Sequence, residues 1–77
     1  MSRKKELKKQ IESSRKEIAD LESKIIRSQS ELLDAIIMHT KPSDNDIEYF
    51  RLLKSLIKVE RENLSKLNEE LRELEQK

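Results

Sequence analysis

His39-Thr40-Lys41-Pro42-Ser43-Asp44-Asn45-Asp46 decides the fold, because it carries the one proline of a 77-residue chain that has no glycine. Pro42 removes a backbone donor and disfavours α geometry at Lys41, so a helix arriving from upstream must end before it. Ser43 with Asp46 three places on resembles a capping box, with Asp in place of the usual Glu or Gln, and marks the start of a second helix. The reading is a single helical hairpin over residues 1–77, with a helix over 3–39, a turn over 40–43 and a helix over 44–75.

Both flanks of this break repeat with helical period. Upstream, Leu7, Ile11, Ser14, Ile18, Leu21, Ile25, Ser28, Leu32 and Ala35 alternate spacings of four and three, a heptad seam. Downstream, Phe50, Leu53, Ile57, Glu60, Leu64, Leu67, Leu71 and Leu74 do the same, interrupted once by Glu60. In antiparallel packing the residue numbers of matched layers have a constant total. A total of 85 pairs Ile11 with Leu74, Ile18 with Leu67, Leu21 with Leu64, Ile25 with Glu60, Leu32 with Leu53 and Ala35 with Phe50. It also brings together the flanking pairs Lys8 with Glu75, Glu22 with Arg61, Ile36 with Ile47 and Met38 with Tyr49, against which stands Glu17 facing Glu70. A total of 78 centres the turn on His39 and asks helix to run through Pro42, so 85 is the expected register. Glu60, a charge on the seam, is expected to reach sideways to Lys24 or Arg61.

Composition agrees with an all-α chain. Charged residues make up 43% and hydrophobic ones 34%, with Tyr49 and Phe50 the only aromatics. Such a mixture suits long amphipathic helices and lacks the turn and sheet-packing residues of β folds. Seventeen basic and sixteen acidic residues leave a net charge of +1, so any preference for phosphate must be local. The absence of cysteine suits a reducing, cytoplasmic setting. No apolar run approaches the roughly 18 residues of a membrane span, and the basic Met1-Ser2-Arg3-Lys4-Lys5 is followed by Glu6, Lys8, Lys9 and Glu12 where a signal peptide would be apolar.

The hydrophobic residues are unevenly placed. Residues 25–59 hold 16 of the 26 in the chain. Besides the seam, Ile26, Leu33 and Ile37 form a second stripe on the first helix, and Tyr49, Leu52, Leu56 and Val59 one on the second. A two-helix seam leaves these seven side chains partly in water, so they are the expected protein interface. The expected function is a non-enzymatic interaction module (assembly, adaptor or chaperone-like) that forms a homo-oligomer, a homodimer and four-helix-type bundle first among them, or binds a protein partner. The two stripes fall on opposite sides of the seam, which complicates a flat face-to-face bundle.

The alternative expectation is a small RNA- or DNA-binding hairpin. Arg3, Lys4, Lys5, Lys8 and Lys9, with Arg15 and Lys16, give the first sixteen residues a charge of +5, suited to a nucleic-acid backbone. The same arm would lie beside Glu69, Glu70, Glu73 and Glu75, which offers it an internal counter-charge, and no aromatic is interleaved for base stacking. His39 has neither Cys nor a second His beside it and reads as a helix C-terminal residue. Asp44, Asp46 and Glu48 alternate like a calcium loop, but Tyr49 stands where the glycine belongs, and they read as first-turn acids. No catalytic residue, cofactor site, metal site or small-molecule substrate is expected.

Ile26-Arg27-Ser28-Gln29 with Leu32-Leu33 resembles a stretch of the first helix of the Rop family of plasmid copy-number hairpins, which dimerise into four-helix bundles and bind paired RNA loops. The resemblance spans the eight positions 26–33 and is too short to assign a family. It implies dimeric bundle geometry and keeps RNA as the alternative partner.

Overall fold

The computed structural model describes residues 2–76. Two helices, α1 (Arg3–Ile37) and α2 (Asp44–Glu75), pack antiparallel as an all-α hairpin, a rod of 59 × 16 × 14 Å. Each helix begins on a serine cap. The Ser2 Oγ accepts from the Lys5 N–H at 3.2 Å, and the Ser43 Oγ from the Asp46 N–H at 3.1 Å. One orphan amide of each first turn is thereby satisfied, and Ser43→Ala is expected to cost about 1 kcal/mol in a thermal melt.

The first helix ends at Ile37, two residues short of the expected His39. His39 takes φ 57°, the left-handed region. Its N–H bonds to the Ile36 carbonyl at 3.1 Å, and the Thr40 N–H to the Ala35 carbonyl at 2.9 Å, the paired bonds of a Schellman cap. That motif normally announces itself with glycine, and a histidine in its place carries steric strain. His39→Gly is therefore expected to raise stability by about 0.5–1 kcal/mol, read as a higher melting temperature with unchanged helicity. The helix has stopped before Pro42 is reached, so proline and helix never compete.

This cap resets the register. The expected total of 85 is not what forms: Arg3 pairs with Glu70, Ser14 with Glu60 and Lys4 with Glu75, totals of 73, 74 and 79. Leu7, which the expected register would leave beyond the end of α2, is 0% exposed. These totals lie 6 to 12 below 85, so the helices are offset from the expected register by about a heptad or more. Leu21, expected opposite Leu64, shares its buried cluster with Ile18, Leu53 and Ile57. The left-handed residue ends α1 early, and residues 40–43 connect it to α2.

The buried apolar residues are Leu7, Ile11, Ile18, Leu21, Leu53 and Ile57, with Ile25 and Leu64 packed against the central cluster of Ile18, Leu21, Leu53 and Ile57. The core thus occupies the middle of the rod and its charged half. Towards the turn the seam opens, and Leu32 and Ala35 are only partly covered.

Glu60 does not reach Lys24 or Arg61. Its Oε1 accepts from the buried Ser14 Oγ at 2.7 Å and from Asn63 Nδ2 at 3.3 Å. Of the three polar residues on the two seams, Ser14, Ser28 and Glu60, the first and last satisfy one another. Ser14, 3% exposed, is small enough to admit the carboxylate and supplies the hydroxyl that it needs.

Candidate protein interface

All seven predicted contact residues are exposed on the hairpin: Ile26, Leu33 and Ile37 on α1, and Tyr49, Leu52, Leu56 and Val59 on α2. The range runs from 45% for Leu56 to 71% for Ile37. Ile36 and Met38 join them at 61% and 71%. The expected register had given these two partners within the chain, Ile47 and Tyr49. The shifted register leaves them in water and enlarges the apolar surface at the tip of the rod.

The exposed residues form two rows on two faces. On one face, Ile26 shares an open groove with Ile25, Phe50 and Ile57 and with the α2 cations Lys54, Lys58 and Arg61. Leu33 lies two turns beyond Ile26 on the same side of α1, and Arg51 continues the cationic row on α2 at helical spacing. This face is half apolar, from α1, and half basic, from α2. Phe50 adds to its chemistry, with Lys54 Nζ 5.7 Å from the ring centre.

The opposite face reverses the arrangement. There α2 contributes the apolar row, Tyr49, Leu52, Leu56 and Val59, at spacings of three, four and three. The neighbouring α1 row reads Glu17, Asp20, Lys24, Arg27, Glu31 and Asp34. Lys24 sits close enough to feel Tyr49 and bridges to Asp20 at 3.1 Å. Hydrogen bonding to Asp20 raises the Lys24 pKa above its ordinary value, so the ammonium stays charged wherever the hairpin is folded at neutral pH. Of the pairs Glu12 with Lys16, Asp20 with Lys24 and Glu62 with Lys66, each an acid four places before its base, only the second is closed.

The basic arm is divided. Arg3 is held by Glu70 at 2.8 Å and by Glu6 at 3.3 Å, and Lys4 by Glu75 at 3.5 Å. The Glu70 hydrogen bond, before the contribution of Glu6, lifts the Arg3 pKa further above its ordinary value. Lys5, Lys8 and Lys9 are exposed and form no ion pair among the described residues. The acidic arm of α2 therefore engages the first two cations and leaves the next three to solvent.

Among the described residues, no group of His, Cys, Asp and Glu is placed to hold a metal ion, Asp44, Asp46 and Glu48 included. No helix is long and apolar enough to cross a membrane. Comparison of the chain with protein-family models, with curated proteins and with solved structures finds no match.

Proposed function

We propose that this chain is a non-enzymatic protein–protein interaction module, of the assembly, adaptor or chaperone-like kind, that makes contact through the turn-proximal half of its hairpin. The observation that supports the reading is the exposure of seven large apolar side chains in two rows that the intrachain seam does not cover. Weighted by what remains exposed, their burial represents about 6–12 kcal/mol before the costs of association. That is comparable with the whole stability of a small domain, and so sizeable a surface marks a site of contact.

Sedimentation across concentration tests it. The protein is expected to associate at micromolar to submillimolar levels, to persist in that state in 1 M salt, and to become monomeric with Leu56→Asp while keeping its helical circular dichroism. A strictly monomeric chain at millimolar concentration would remove the support for self-association.

Exposed, unpaired Lys5, Lys8 and Lys9 favour a second reading, nucleic-acid binding through the basic arm. It predicts an affinity for duplex RNA or DNA that falls steeply with salt and is lost when these three lysines become glutamate. The same triple change is expected to leave the sedimentation of the protein alone unaltered, because the lysines lie at the end of the rod remote from the apolar rows.

A further inference from the structure

We infer that the partner on the apolar surface is a second copy of this chain, and that the contact is heterologous: the α1 face of one copy meets the α2 face of the next. This rests on the interaction reading above and goes further by fixing which surface meets which.

The two apolar rows lie on opposite sides of a rod only 16 × 14 Å in cross-section. A two-fold dimer uses one patch on both copies. Built on the Ile26 and Leu33 face, it would leave Tyr49, Leu52, Leu56 and Val59 in water. Built on the other face, it would leave Ile26 and Leu33. Neither symmetric arrangement covers both rows.

Charge points the same way. The face with Ile26 and Leu33 carries Arg51, Lys54, Lys58 and Arg61 against Glu22 and Glu62, a formal +2. The face with Leu52 and Leu56 carries Glu17, Asp20, Glu31 and Asp34 against Lys24 and Arg27, a formal −2. Joining a face to its own copy juxtaposes like charges. Joining it to the other face lays apolar row on apolar row and sets basic row towards acidic row, the kind of complementarity that selects one pairing over another. The cations and anions flank the apolar rows on the surface, so they choose the partner face while the apolar side chains supply the attraction. A heterologous contact leaves one free face of each kind at the ends, so addition continues unless the rotation per copy closes a ring.

Two double variants separate the possibilities. Ile26→Glu with Leu33→Glu disables the α1 face, and Leu52→Glu with Leu56→Glu disables the α2 face. All four positions are exposed by at least 45%, and circular dichroism verifies that each variant is folded. In analytical ultracentrifugation the unmodified chain is expected to pass beyond dimer as concentration rises. Each variant alone should be monomeric, and an equimolar mixture should double in mass and stop there, since it offers one intact face of each kind. Raising salt from 0.05 to 0.5 M should weaken the mixed dimer several-fold. If either variant alone dimerises as tightly as the unmodified chain, the contact is symmetric: the heterologous inference fails and the interaction reading survives. A mixture that stays monomeric while the unmodified chain associates overturns the inference in the same way. An unmodified chain that stays monomeric at millimolar concentration instead removes the self-association on which the inference rests.

Discussion

Leu7→Ala is expected to lower the stability of the hairpin by about 2–4 kcal/mol, among the largest losses available to a single substitution. Leu7 is the one large side chain among the described residues with no exposed surface, although it lies near the end of the rod where fraying would be expected. Its burial follows from the register, which keeps the end of α2 alongside the start of α1. A small helical domain loses roughly 4–8 °C of melting temperature per kcal/mol, so the variant should melt some 10–25 °C lower. Ile37→Ala supplies the contrast. Ile37 is 71% exposed and on a helix of the same protein, and at concentrations where the chain is monomeric its truncation should move the melt by little. Were the helices aligned one heptad further apart, Leu7 would have no opposite number and its truncation would be nearly silent.

The second large effect has the opposite sign. Replacing Ser14 by Ala and Glu60 by Leu together is expected to stabilise the hairpin by about 1–3 kcal/mol, since a satisfied polar pair in a seam is often weaker than apolar packing of similar volume. Glu60→Leu alone should gain less, because the Ser14 hydroxyl, now hydrogen-bonded at 2.7 Å, would be left without its acceptor. A double-mutant cycle by chemical denaturation measures the difference. The gain should come with weaker discrimination between alignments. With both polar residues removed, a slip by one heptad no longer separates hydroxyl from carboxylate, and amide resonances of seam residues should broaden or split.

These two sites also mark the boundary of what could be read before the fold was seen. The two helices, their antiparallel order, the Ser43 cap and the stripe residues all follow from periodicities of three and four and from one proline. Alignment did not follow, for two reasons. A heptad seam looks the same after every seven residues, so Leu21 can sit beside Leu64 or Ile57 with equal plausibility. The length of the turn then has to choose, and here it depends on His39 adopting a left-handed conformation that sequence normally signals with glycine. A usable signal was nevertheless present in Ser14 and Glu60. Each puts a polar group on an otherwise apolar seam, and only a register shifted well below 85 brings the two within a turn of one another. Pairing polar interruptions across helices would have selected it. Ile36 and Met38 were missed as surface residues for the same cause, since the rejected alignment had assigned them partners inside the chain.

The candidate contact rows were more legible than the alignment because amphipathic position depends on phase within one helix. Ile26 and Leu33 stay on one flank of α1 whatever stands opposite. What the residues of one helix could not reveal was that each apolar row would be bordered by a charged row from the other helix, since that requires two phases at once.

The ion pair of Lys4 with Glu75 at 3.5 Å places the beginning of α1 and the end of α2 side by side, most of a 59 Å rod away from Ile37 and Met38. Cargo or a fluorophore attached at that end would be carried outward, clear of any growing assembly. In the proposed assembly the molecule would stand like a bristle, rooted by its oily tip and free at its salted end. Whatever is attached there would be displayed at a density fixed by the spacing of the roots.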